Sequence, residues 1–164
     1  MQDTEYRAEM LWESLGLWVS IQRSARGICH VHLSDGPSGF SAPDSDLLIA
    51  EAAAQLEAYF EGKLRRFDLP LDLGGTNFQR RVWAELLTIP YGETRTYAEV
   101  AASIGHPAAT RAVGAANGQN PIAIIVPCHR VVRTGGGLGG YGGGLDAKRA
   151  LLDLERGAAR LADS

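Results

Sequence analysis

The stretch TYAEVAASIGHPAATRAVGAANG, residues 96–118, decides how the second half of this chain is read. Thr96 followed three residues later by Glu99 is a capping box, so a short helix is expected from there through Ser103. Gly105-His106-Pro107 makes a tight turn, and Pro107 suits the first position of a further helix reaching Asn117. Two short helices about a glycine-containing turn form the helix-turn-helix pattern, which many folds also use without touching DNA. The second helix is rich in alanine (108, 109, 112, 115 and 116) and carries one long cation, Arg111. Positions 108, 111, 112 and 115 share a face that is nearly flat. Such a face suits close approach in a narrow groove better than base reading in a wide one. For Ala109, Val113 and Ala116 simple helix packing is the expectation.

Working outward, Thr76 and Gln79 form another capping box, heading a helix to about Ile89 that Pro90-Tyr91-Gly92 ends. Upstream, residues 18–23 alternate apolar and polar, and residues 27–33 are β-like, with an Arg/Ser/Gly turn between them. Residues 35–39, DGPSG, break the chain. Asp44 or Ser45 caps a helix running to about Phe60, with Leu48, Ala52, Leu56, Tyr59 and Phe60 as apolar positions and Gly62 as the stop. Residues 67–73 alternate again, and Pro70 makes them an edge strand. The fold class expected is α+β. A small N-terminal sheet-plus-helix domain, residues 1–73, precedes a mainly helical domain with the helix-turn-helix, residues 74–164.

Composition bounds the function classes. The chain has 164 residues, 45% hydrophobic and 21% charged, with a net charge of −3. A chain of this length buries roughly 70% of its unfolded surface and needs no disulfide or metal to fold. The first ten residues lack an apolar signal region, and the longest apolar run, residues 122–126, is too short to span a bilayer. Two cysteines, Cys29 and Cys128, then point to free thiols in a reducing, cytoplasmic setting with no membrane partner. The charge is uneven. Residues 1–73 hold 6 basic and 12 acidic side chains, whereas residues 74–157 hold 9 basic and 6 acidic. A net of +3 on the helix-turn-helix half leaves a polyanion partner open.

The chemistry gathers at Cys128. The β-branched run of residues 120–126, NPIAIIV, should be buried, and it leads directly into Pro127-Cys128-His129-Arg130. A free thiol has a pKa of about 8.5, so an adjacent base or cation is what makes it a nucleophile at neutral pH. A buried cysteine is otherwise inert filler. Here His129 and Arg130 favour reactivity.

These residues, together with residues 89–94 (IPYGET), 110–114 (TRAVG), Asn120-Pro121 and 139–144 (GGYGGG), resemble the O6-alkylguanine-DNA alkyltransferase family. Content and spacing agree from about Phe78 to Gly157, roughly half the chain, and the N-terminal part agrees only in general plan. The resemblance implies DNA repair by direct reversal. A methyl or other alkyl group would pass from O6 of guanine, and also from O4 of thymine, to Cys128, once per molecule and without a cofactor or metal. It implies that His129 draws the thiol proton through a water and that Glu155 orients and charge-stabilises that histidine. Asn120 would tie the turn carrying Cys128 to the helix-turn-helix. Tyr97 would hydrogen-bond the base and press on the phosphate as the nucleotide rotates out, and Arg111 would fill the vacated space. Ala108, Ala112, His106 and Thr134 complete the implied DNA-binding set. Val131, Tyr141, Gly142 and Gly143 form the implied alkylguanine pocket. The implied partner is duplex DNA containing the lesion, gripped through its minor groove by a monomer. Gly142 departs from relatives with a hydroxyl or cationic residue there, which leaves the range of alkyl groups open. For Glu155, a place near a helix C-terminus would be electrostatically unfavourable, which itself argues for a functional role.

Three other classes remain to be weighed. Residues 137–142 fit G-x-G-x-x-G, but eight of the 20 glycines lie in residues 135–144 and no second strand follows to carry the expected acid, so a dinucleotide fold is rejected. A cysteine hydrolase on Cys128 and His129 would turn over, whereas a thioether would not leave. A regulator using the helix-turn-helix alone would keep its cellular function after Cys128→Ala. Cys29, His30 and His32 invite a metal reading. On a strand His30 and His32 share one face and Cys29 takes the other, so core and surface roles are expected instead.

Overall fold

A computed structural model describes residues 6–39 and 46–162, which fall into two compact units, Met1–Leu73 and Gly74–Ser164. The architecture is α+β. In the first unit β1 (Tyr6–Trp12), β2 (Leu17–Arg23) and β3 (Ile28–Ser34) form an antiparallel meander, with Ile21 opposite Ala8 on one side and Val31 on the other. Alternation in β2 turns Val19 and Ile21 inward, where they meet Val31 and Leu33 of β3. The helix α1 (Leu47–Phe60) adds Ile49, Ala52, Leu56 and Tyr59 to that core. Its cap is Asp46, whose carboxylate accepts from the Ile49 amide at 2.8 Å and is paired with Arg23. Asp44 and Ser45, the caps expected from sequence, lie outside the described residues.

Two expectations need correction in this unit. Strand β1 was not anticipated, because its apolar residues run together as Met10-Leu11-Trp12 and blur the two-residue period. Residues 67–73 do not form an edge strand. They make one parallel bridge, Ile28 to Leu71, in which the Ile28 amide donates to Pro70 O and the Asp72 amide to Ile28 O, both at 2.8 Å. Pro70 has no N–H with which to extend the ladder. Gly27 allows this approach, since a Cβ there would lie 2.5 Å from Pro70 O.

The second unit begins with α2 (Asn77–Leu86), headed by the Thr76–Gln79 capping box. It stops three residues short of Ile89, because the Thr88 and Ile89 amides turn back to Glu85 O and Leu86 O. Its Trp83 is buried and donates from Nε1 to Ala116 O at 2.8 Å. The pair β4 (Arg95–Thr96) and β5 (Val131–Val132) is parallel and joins segments far apart in sequence. The helix α3 (Tyr97–Ser103) has the Thr96–Glu99 capping box. The next helix, α4 (Thr110–Gly118), begins three residues after Pro107, with Ala109 as its cap and the Ala109 amide bonded to His106 O at 2.9 Å. Pro107 and Ala108 therefore belong to the turn, not to the helix. The chain closes with α5 (Leu145–Ala162), whose buried stripe is Ala147, Lys148, Leu151, Leu152 and Glu155. The period is helical, but two of the five positions are ionisable.

Candidate active site

Cys128, His129 and Arg130 form a single 3-10 turn between the buried run of residues 122–126 and β5, and all three are buried. The run itself is a folded turn. Asn120 holds it together, its Oδ1 accepting from the Ile122 amide at 3.0 Å and its Nδ2 donating to Val126 O at 2.8 Å. Within the turn Ile124 adopts φ 71°, the one left-handed non-glycine backbone among the described residues. A β-branched residue holds that conformation only under constraint. The Cys128 amide then donates to Val126 O at 2.8 Å, and Asn117 of α4 donates from Nδ2 to Cys128 O at 3.3 Å. The thiol is thus aimed by backbone hydrogen bonds from two asparagines.

Behind it lies an ionic cluster. Glu155 Oε2 is 2.7 Å from His129 Nε2, and Arg130 grips the same carboxylate in bidentate fashion, Nε to Oε1 at 2.8 Å and Nη2 to Oε2 at 3.1 Å. Arg130 Nη1 donates to Ile89 O at 2.7 Å, and the Gly92 amide donates to Glu155 Oε1 at 3.3 Å. Burial alone would raise the Glu155 carboxyl, but the His129 and Arg130 bonds outweigh it and bring it down to about 2. An ionised carboxylate only accepts, so the proton of neutral His129 sits on Nε2. Burial lowers the His129 pKa against the opposing pull of Glu155, which keeps it neutral. Its Nδ1 is buried with no protein partner and carries the free lone pair. For Cys128 burial raises the pKa, with Asn120 and Lys148 acting in the other direction.

A cavity of about 450 Å³ adjoins this cluster, lined by Tyr97, Thr110, Arg111, Gly114, Asn117, Gly118, Arg133, Gly139, Gly140 and Tyr141. That volume suits a small-molecule-sized group. The Tyr141 hydroxyl is buried and unpartnered. Gly139, at φ 74°, lets the loop reach the tyrosine, since a Cβ there would sit 2.5 Å from Tyr97 Oη.

Of the residues singled out in sequence, Cys128, His129, Glu155 and Asn120 come together in the cluster, and Tyr97, Arg111 and Tyr141 at the cavity. Val131 is fully buried in β5, Gly142 is exposed with open space where a Cβ would be, and Gly143 is half-buried; none of these three lines the cavity. Arg111 and Ala112 are exposed on α4, Ala108 and His106 are exposed in the turn before it, and Thr134 is exposed after β5. His106 Nε2 lies 3.2 Å from Arg81 Nη1. Ala109 is half-buried, while Val113 and Ala116 are buried. Glu155 sits in the interior of α5, seven residues before its end, so the argument from an unfavourable helix C-terminus does not apply to it. The His30 and His32 rings are 5.8 Å apart, and no three His, Cys, Asp or Glu side chains among the described residues gather as a metal site. Sequence reasoning missed Asn117, Arg133 and Lys148, and it took Arg130 only as a neighbouring cation. The spacing of Lys148 and Glu155, seven residues apart on one helical face, was the available signal for the lysine.

Comparisons with known proteins agree along the chain. Residues 77–157 match the family model for the DNA binding domain of 6-O-methylguanine DNA methyltransferase, and residues 19–73 match that for its ribonuclease-like domain. A methylated-DNA–protein-cysteine methyltransferase of Mycobacterium bovis is 59% identical over 128 residues, covering 78% of this chain and 72% of the relative. One from Methanosarcina barkeri is 52% identical, covering 82% and 88%. The crystal structure of Mycobacterium tuberculosis O6-methylguanine methyltransferase superposes with a TM-score of 0.81 at 46% identity over 94% of each chain. That of Mycobacterium tuberculosis OGT in complex with DNA gives 0.78 at 51% identity, covering 86% and 88%.

Proposed function

The chain belongs to the methylated-DNA–protein-cysteine methyltransferase family, and from that premise we propose how its own residues repair DNA by transferring an alkyl group from guanine O6 to Cys128. The observation that carries the reading is the His129–Glu155 pair, which leaves a neutral imidazole with a free, buried Nδ1 one residue from the only thiol in the cluster.

Glu155 holds the Nε2 tautomer and stabilises the imidazolium that forms when Nδ1 takes the Cys128 proton through a water, which is the logic of a hydrolase triad put to another use. The thiolate then attacks the alkyl carbon. A sulfur–carbon bond forms, the carbon–O6 bond breaks, and its electron pair leaves on guanine, which is later protonated. The product is a stable thioether, so each molecule acts once. A stacked guanine is out of reach of a buried thiol, and the nucleotide must swing into the cavity at a cost of a few kcal/mol. Tyr97 and Tyr141 would meet the base there, while Arg111, exposed on α4 at the cavity edge, would occupy the vacated stack. The exposed alanines 108, 112 and 115 permit approach to a minor groove. A monomer acting in the cytoplasm, on O6-alkylguanine and also on O4-alkylthymine, completes the proposal. No helix among the described residues is long and apolar enough to cross a membrane.

Mixing the protein with excess O6-methylguanine duplex and following intact mass tests this directly. Each active molecule should gain one methylene, on the Cys128 peptide, and transfer should stop at one equivalent. Turnover, or label elsewhere, overturns the reading.

A further inference from the structure

Arg133 lines the cavity, yet the transfer chemistry above gives it no part. Its place follows from the short parallel pair. Arg95 lies beside Val131 and Thr96 beside Val132, so the next residues in register are Tyr97, which opens α3, and Arg133. The β4–β5 pair thus delivers a phenol and a guanidinium to the same wall. The two groups interact: burial raises the Tyr97 pKa and Cys128 adds to it, while the Arg133 charge acts the other way. A tight turn fixes the arginine from its other side, its amide donating to Gly137 O at 2.8 Å and the Gly136 amide to Arg133 O at 3.3 Å. Glycines 135 and 136 give that turn its left-handed backbone, at φ 90° and 98°. The arginine stem lies against Gly137, where a Cβ would sit 3.4 Å from Arg133 Cδ.

The backbone is thus held on both sides while the guanidinium stays uncommitted. Other arginines of this unit are paired: Arg95 with Glu93, Arg130 with Glu155 and Arg149 with Asp146. Arg133 is exposed, and among the described residues no carboxylate or carbonyl accepts from its side chain. The cavity lining contains no acid, and its other cation, Arg111, already has a place in the vacated stack. A partner for Arg133 must therefore arrive with the substrate. A base enters the cavity only with its sugar attached, and the phosphates on either side of that sugar are brought to the cavity mouth. The planar fork of an arginine matches two oxygens of a phosphate.

We propose that Arg133 binds a phosphate flanking the extruded nucleotide and so holds the alkylated base in the cavity while Cys128 reacts. The contact is completed only when the nucleotide has left the stack, so it offsets part of the cost of extrusion. This inference rests on the reading of the cavity as the site of the extruded base. Its test is single-turnover transfer from O6-methylguanine duplex at saturating protein, where differences in encounter affinity no longer enter the rate. The phosphate 5′ or 3′ of the lesion is replaced, one at a time, by a neutral methylphosphonate. One of the two replacements should slow the parent about tenfold, and Arg133→Gln on the native duplex should be slowed by a similar factor. Combining the two should add no more than about twofold, because each removes the same contact. Arg133→Lys should recover part of the rate. Multiplying losses at both positions, or no loss in Arg133→Gln at saturation, overturns the proposal. So does an equal loss with the free alkylated base, which carries no phosphate and reports a structural role. Transfer by the parent without this coupling leaves the repair reading standing, whereas absent transfer by the parent overturns that reading instead.

Discussion

Glu155 joins stability and chemistry in one side chain. Its carboxylate receives His129, both prongs of Arg130 and the Gly92 amide. Removing one member of a buried charge pair costs more than the pair contributes, since the other charge is left unpaired. Glu155→Gln should therefore destabilise the protein by roughly 3–5 kcal/mol, measured by denaturant unfolding, as well as disabling transfer. Its pH dependence has a definite sign. The folded pKa, about 2, lies below the ordinary carboxylate value of 4.5, so the contribution is present above that value and is lost as pH falls through the folded one. Stability measured in Glu155→Gln should lose that part of the acid sensitivity. Arg111 is the opposite case. It is exposed, and Arg111→Ala should alter stability by no more than about 0.5 kcal/mol. Repair of a paired lesion should slow, while the free alkylated base reacts at the parental rate. Equal loss on both substrates would make Arg111 a structural residue.

At the scale of elements, the capping boxes set the site's precision. Thr96 caps α3, and Tyr97 is its first residue, so the phenol at the cavity is only as fixed as that helix end. Thr96→Ala should cost about 1 kcal/mol and loosen Tyr97, seen as faster amide exchange across the first turn. The turn of residues 120–126 presents two opposed terms. Ile124 at φ 71° stores strain of about 1–3 kcal/mol, but its side chain is 1% exposed, and deleting it forfeits about 2–5 kcal/mol of packing. Burial wins. Ile124→Gly should therefore lower stability in thermal unfolding despite relieving the backbone. Helix α4 starts three residues later than Pro107 suggests. Pro107 is compatible with a first helical position, but a hydrogen bond from the Ala109 amide to His106 O closes the turn first and delays the helix to Thr110.

Over the whole molecule, a net charge of −3 speaks against a polyanion partner only until it is divided. The second unit is basic, yet two of its cations, Arg130 and Lys148, are buried and cannot reach a phosphate. The exposed arginines 80, 81, 111, 133, 149 and 156 remain for that purpose. DNA affinity should fall with salt on a log–log slope no steeper than about −5, and Arg133→Ala should lessen it by about 1. The amino-acid sequence by itself determined the α+β class, both capping boxes and the helical period of α1, because these depend on neighbours three or four residues apart. The run Pro127-Cys128-His129-Arg130 was equally plain, since adjacent residues suffice to mark an activated thiol. Tertiary structure alone decided that Arg130 and His129 share Glu155, that Lys148 lies buried among three carbonyls, and that Val131 is fully buried in β5. It also decided the short β4–β5 pair. Each of these depends on segments about 8 to 36 residues apart, whose meeting is set by packing of the whole unit and leaves no local period to read.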